Sequence, residues 1–129
     1  MKAAEEFAWK NPETGFKEYK TSEFMFKEFT KLGYRPTAAD GITGFFADFD
    51  TKRVGPTVLV LAELDALNVS AHPDGVDGKA HACGHNAQLG AILGVAAALK
   101  DGAITENMVG KIRLCCVPAE ETLSAGLKD

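Results

Sequence analysis

Thr57-Val58-Leu59-Val60-Leu61-Ala62-Glu63-Leu64-Asp65 is the stretch on which the fold turns. Aliphatic residues run unbroken from Val58 to Ala62, and acids follow at Glu63 and Asp65. Such a run predicts a strand over 57–64, buried on both faces as in a parallel sheet. A second apolar run, Lys111 to Val117, predicts another strand that stops at Pro118. Between them, Asn86 to Lys100 reads as a helix capped by Asn86 and closed by Asp101-Gly102. Strand, helix and strand in that order predict a parallel β-α-β unit. The fold class expected is therefore α/β, a mixed sheet with that unit flanked by helices.

Outward from this unit, Ile42 to Phe49 reads as a further strand. Its connector to Thr57 is short and polar, which predicts antiparallel pairing of the two. The first ten residues predict a helix with Ala3 and Phe7, joined by Ala4 and Ala8, on one face, and Asn11 to Gly15 a turn. A second helix is expected from Ser22, as N-cap, to Leu32, with Met25, Phe29 and Leu32 as the buried stripe and Gly33 as its stop. Asn68 to Gly84 is a long connection, and such segments usually carry function.

The chain has 129 residues, which suits one compact domain, and its 46% hydrophobic and 25% charged residues are globular composition rather than disorder. A net charge of -4, with Lys52-Arg53 as the longest basic run, disfavours nucleic-acid and anionic-membrane partners. The start turns acidic at Glu5-Glu6, where a signal peptide would turn apolar. The apolar stretch from Ala87 to Leu99 falls short of the ~20 residues a membrane span needs. It holds Gly90-xxx-Gly94, which here says only that a backbone packs closely. Cys83, Cys115 and Cys116 are odd in number and argue against a disulfide framework, so a reducing cytoplasm is expected.

Three features carry chemistry. In His81-Ala82-Cys83-Gly84-His85, an extended backbone puts residues 81, 83 and 85 on one face, where thiolate and imidazole suit a borderline metal such as Zn²⁺. The same residues also read as a polar loop with an unrelated Cys and His. Glu120 and Glu121 follow a strand end, where paired carboxylates call for a compensating charge; one can bind a metal while its neighbour takes a proton from water. They also read as a solvated turn. Glu63 and Asp65 point to one side of their strand end and can orient a ligating imidazole or bridge metals. A Cys83/His85 thiol hydrolase is disfavoured, because residues two apart in a loop rarely achieve nucleophile–base geometry. Ligands of open parallel sheets sit at the carboxyl ends of the strands, and all three features lie there.

In chain order, Pro12-Glu13-Thr14-Gly15-Phe16-Lys17-Glu18, Leu61-Ala62-Glu63-Leu64-Asp65-Ala66-Leu67, His81-Ala82-Cys83-Gly84-His85-Asn86 and Pro118-Ala119-Glu120-Glu121 resemble the amidohydrolase branch of the zinc-peptidase superfamily. That branch includes aminoacylases, hippurate hydrolases, hydrolases of indole-acetyl amino acids and aminobenzoyl-glutamate hydrolases. The resemblance covers nearly the whole chain, and four motifs in order are far more specific than one. It implies a partial zinc-peptidase-like catalytic domain with a pair of divalent metal ions, zinc first, manganese or cobalt as alternatives. Cys83 resembles the ligand shared between the metals, His85 and Glu121 further ligands, Glu120 the general base, and Asp65 the acid supporting the site from behind. The implied reaction is hydrolysis of an N-acyl amino acid or related small amide. A dipeptidase and a non-catalytic metal-binding or interaction fragment are the alternatives. The resemblance further implies that residues 1–129 are the N-terminal portion of a longer, homo-oligomeric enzyme, without its lid domain or its later histidine ligands. The chain departs from many relatives in having Asn86 for Asp and Gln88 for His.

Overall fold

The structure is a computed structural model that describes residues 1–125. Helix α1 (Lys2–Lys10) buries Ala4 and Ala8, while Ala3, expected inside, is exposed. Phe7 stacks on Phe24 of helix α2 (Tyr19–Lys31) with ring centroids 4.1 Å apart. Met25 and Phe29 are fully buried, as their spacing predicts, and Leu32 packs partly buried against them.

Helix α2 starts a turn earlier than Ser22. The reason lies in Glu13, whose carboxylate accepts from the amides of Lys20 (3.1 Å) and Thr21 (2.8 Å) and from the Thr21 hydroxyl (2.9 Å). A side chain from the preceding turn thus satisfies the first-turn donors, and its negative charge suits a helix N-terminus. Ser22 serves elsewhere, accepting from the Gly44 amide at 3.1 Å.

Strands β1 (Thr37–Ala38), β2 (Phe45–Asp50) and β3 (Thr57–Glu63) follow, then the short β4 (Leu67–Asn68) and β5 (Lys79–Ala80). Helices α3 (His85–Ala98) and α4 (Gly102–Thr105), strand β6 (Lys111–Val117) and helix α5 (Glu120–Ala125) complete the order. The main sheet runs β1-β2-β6-β3. β3 and β6 are parallel from Thr57↔Lys111 to Glu63↔Val117, as the β-α-β pattern predicts. β2 does not pair with β3; β6 lies between them and pairs antiparallel with β2 from Phe45↔Cys116 to Asp50↔Lys111. Strands flanking a third stand about 10 Å apart, a gap the connector spans while straddling the start of β6 through Thr51 N–H to Gly110 O (3.1 Å) and Gly110 N–H to Arg53 O (2.9 Å). The short connector therefore gave the direction of the two strands but not their adjacency.

Alternation divides the sheet into two unlike faces. Phe45, Ala47, Val60, Ala62, Leu114 and Cys116 face the helices and join the core. The other face carries Phe46, the Asp48–Arg113 ion pair (2.7 Å), Leu59 and Leu61. β3 was expected to be buried on both faces, yet Leu59 is 55% and Leu61 54% exposed. It is an edge strand, and no described element covers that second face.

Two further expectations shift. The long 68–84 connection carries a small ladder of its own, Leu67↔Ala80 and Asn68↔Lys79. Helix α3 is preceded by Gly84, not capped by Asn86: Gly84 holds φ 90, a left-handed conformation open to glycine, and makes His85 the first helical residue. Close packing along Gly90-xxx-Gly94 is as read: a Cβ on Gly90 would come 3.4 Å from the Met1 carbonyl oxygen, and one on Gly94 2.4 Å from Met1 Sδ. Among the described residues no helix is long and apolar enough to cross a membrane.

Candidate metal centre

Because β3 and β6 run parallel and in register, the chain reaches one sheet edge at Glu63 and at Val117, where the Leu64 amide donates to Val117 O at 2.9 Å. Beyond β3, Leu64, Asp65 and Ala66 stay buried. Beyond β6, the chain turns at Ala119, which takes a left-handed φ of 61, and enters α5 with Glu120 and Glu121 in its first turn. Gly84 redirects the third segment so that His85 enters between these two corners. Local turns, not strand ends alone, aim the side chains.

His85 is buried at the centre. Its Nδ1 lies 2.9 Å from the Asp65 carbonyl oxygen and 3.3 Å from Asp65 Oδ1. A carbonyl only accepts, so Nδ1 carries the hydrogen and Nε2 is left to face the other way. There it meets Glu63 Oε2 at 2.8 Å, Glu121 Oε1 at 3.7 Å and Glu120 Oε2 at 3.9 Å. Asp65 Oδ2 also accepts the Glu121 amide at 2.9 Å, which ties the two acidic corners together. Gln88 holds Glu63 twice, donating Nε2–H to Oε2 at 2.9 Å and accepting the Glu63 amide at 3.2 Å.

The five residues to which the resemblance gives a role, Asp65, Cys83, His85, Glu120 and Glu121, all come to this edge. Cys83 is exposed, and its thiol is pushed up to about 11, first by its hydrogen bond to the Glu121 carboxylate, then by desolvation and by the charges of Glu121, Glu120 and Asp65. His81 does not join Cys83 and His85 on an extended face. Residues 81–84 form a turn closed by Gly84 N–H to His81 O (3.0 Å), which sends the ring inward. There neither ring nitrogen has a hydrogen-bond partner among the described residues, and burial, with His85 nearby, lowers its pKa to about 4.

The place of Glu63 opposite Nε2 is more specific than the general role of orienting or bridging acid that its strand-end position predicts. Glu13 and Glu18 were read as motif residues without a task, and Gln88 only as a departure. For Gln88 a signal existed, since it lies one helical turn from His85 and shares its face. A groove of about 1010 Å³ lies elsewhere, between α2 and the 38–44 segment, and none of the candidate residues lines it.

Four carboxylates surround one imidazole. Among the described residues no lysine or arginine bridges Glu63, Asp65 or Glu120. One proton cannot balance that charge, and a divalent cation can. Ligand atoms of Glu63, His85 and Glu120 all lie within 4.8 Å of one another. Imidazole, carboxylates and an adjacent thiol form a donor set that zinc-like ions accept. The residues present fit a metal.

Several known proteins are similar to this chain in sequence or fold. The N-acetyl-L-cysteine deacetylase of Bacillus subtilis is 36% identical over 124 residues, covering 91% of this chain and 29% of its own length. An IAA-amino acid hydrolase of Arabidopsis thaliana is 34% identical over 119 residues, covering 86% of this chain and 26% of its own. The chain thus spans less than a third of these relatives. A Bacillus subtilis crystal structure, described as a dinuclear metal-binding peptidase, superposes with a TM-score of 0.80 at 27% identity, over 97% of this chain and 38% of that one. Residues 59–129, more than half the chain, match a single family, so the chain belongs to peptidase family M20/M25/M40.

Proposed function

We propose that residues 1–129 are the N-terminal portion of the catalytic domain of a metal-dependent amidohydrolase, which cleaves the amide bond of an N-acyl amino acid or related small amide. The observation that carries this reading is the buried His85 imidazole, oriented through Nδ1 by Asp65 and facing three carboxylates through Nε2. The relatives named for N-acetyl-L-cysteine and IAA-amino acids point to the same substrate class. Cytoplasmic residence, suggested by the free cysteines, and homo-oligomerisation of the longer protein belong to the same proposal.

In this reading Cys83, His85 and Glu121 hold a pair of divalent ions, with zinc favoured by the thiolate and manganese or cobalt as alternatives. When bound, such ions supply Lewis acidity toward a carbonyl oxygen and acidify water. Exposure separates the roles of the acids. The Asp65 side chain is 0% exposed and Glu121 14%, whereas Glu120 is 47% exposed and open to a substrate. Glu120 accepts the proton of the attacking water and returns it to the leaving amine. Asp65 keeps the His85 ring and the Glu121 backbone in place.

The test has two arms. Zn²⁺ affinity, read by competition with a chromophoric chelator, should fall at least about tenfold in Cys83→Ser and in His85→Ala. In the longer protein that carries this segment, Glu120→Gln should keep the metal and abolish hydrolysis of N-acyl amino acids. Unchanged affinity in both ligand variants, or turnover of dipeptides alone, would defeat the assignment.

A further inference from the structure

Glu18 is fully buried, at 0% exposure, and is distant in sequence from the segments that carry the acidic cluster. Its Oε1 accepts the Ala119 amide at 2.9 Å, and its Oε2 accepts the hydroxyl of the buried Thr43. Burying a carboxylate is costly, and a core needs no charge for packing alone. The partner is informative. Ala119 sits at φ 61, a conformation disfavoured for any residue with a Cβ, immediately before Glu120. A charge-assisted hydrogen bond to its amide is the kind of contact that holds such a corner.

The neighbourhood of Glu18 is built around the same corner. A Cβ on Gly15 would come 2.0 Å from Thr122 Oγ1 and 3.0 Å from Ala119 Cα, so the 13–18 turn lies directly against the start of α5. The turn reaches the other acidic corner too, because the Ala66 amide donates to Glu13 O at 2.7 Å, next to Asp65. One N-terminal segment is therefore bonded to both places where the sheet edge delivers its acids.

We propose that Glu18 is a positioning residue whose buried carboxylate holds the strained Ala119 corner and thereby sets where Glu120 and Glu121 stand relative to His85. The proposal rests on the metal-centre reading for what those acids do. The geometry it describes is independent of that reading.

Two variants of the 129-residue chain separate positioning from packing. Glu18→Gln keeps an acceptor for the Ala119 amide and offers an N–H to Thr43; Glu18→Met fills the volume without an acceptor. The readouts are hydrogen exchange at the Glu121 amide, which bonds Asp65 and not Glu18, and Zn²⁺ affinity. Glu18→Met should exchange faster at Glu121 and bind Zn²⁺ about 10–100-fold more weakly, and Glu18→Gln should restore both to near the parent values. If the parent binds no Zn²⁺, the metal reading fails, and exchange at Glu121 still decides the positioning. Parent-like exchange in Glu18→Met, or its failure to fold, would assign Glu18 to the core alone and overturn the proposal.

Discussion

The carbonyl oxygen of Asp65 lies 2.9 Å from Nδ1 of His85, and the carboxylate of the same residue lies 3.3 Å from that nitrogen. Backbone and side chain of one residue thus address one ring atom. The backbone contact survives any substitution; the side-chain contact does not. Asp65→Asn should keep the ring orientation and still accept the Glu121 amide. Asp65→Ala should release that amide and weaken Zn²⁺ binding by about 10–100-fold. Equal affinities in Asp65→Ala and the parent would mean that the carbonyl alone orients His85.

What could be read from the sequence follows from how local each determinant is. The parallel pairing of β3 and β6 was legible because an apolar run, a helix and a second run ending at Pro118 leave few topologies. Convergence of Asp65, Cys83, His85, Glu120 and Glu121 followed from that topology. The insertion of β6 between β2 and β3 was not legible, because a short connector reports direction and not adjacency. Nor was the start of α2, whose first-turn donors are satisfied by Glu13 from outside the helix. The exposure of Leu59 and Leu61 escaped for another reason: composition says a strand can be covered on both faces, not that it is.

Cys83 is exposed yet should alkylate slowly. A thiol shifted from 9.0 to about 11 by the Glu121 carboxylate and its acidic neighbours loses about a hundredfold of its thiolate at pH 8. Rates of iodoacetamide labelling in metal-free protein, read by mass spectrometry, should rise in Glu121→Gln. Labelling of the parent at the rate of an unstructured cysteine would contradict the contact.

His81 predicts a pH dependence. Its folded pKa, about 4, lies below the ordinary 6.5 because burial disfavours the cation. Below pH 6.5 the unfolded chain binds a proton that the folded chain refuses. The stabilising contribution is therefore complete above about 6.5 and is lost progressively toward 4, amounting to about 3 kcal/mol. Denaturant midpoints of the metal-free chain should fall over this window, and His81→Leu should flatten the slope. A slope unchanged by the substitution would place the titrating group elsewhere.

The 129-residue chain should turn over no N-acyl amino acid when supplied with Zn²⁺ or Mn²⁺. The ligand set proposed among these residues is one cysteine, one histidine and one glutamate, fewer than a pair of ions takes, so a bound ion and its water would be poorly placed for attack. Turnover that vanishes in Glu120→Ala would show that the chain suffices alone.

Self-association should be a property of this chain, and its origin is the uncovered face of the sheet. Leu59 and Leu61 are more than half exposed on strand β3, whose outer edge has no partner among the described strands. Both point away from the helices, because Val60 and Ala62 between and beside them belong to the core. Mixed and parallel sheets ordinarily have both faces covered, and an open apolar face joined to a free edge favours pairing with a second copy. Charge on that face opposes pairing without entering the core. Leu61→Lys lies on the open side, where Cys115 is its neighbour in register, so it should change stability by no more than about 0.5 kcal/mol. Sedimentation velocity at concentrations on the order of 100 μM should show oligomers for the parent and a shift toward monomer for Leu61→Lys. A monomeric parent at that concentration would mean that Phe46, Arg113 and their neighbours shield the face well enough by themselves.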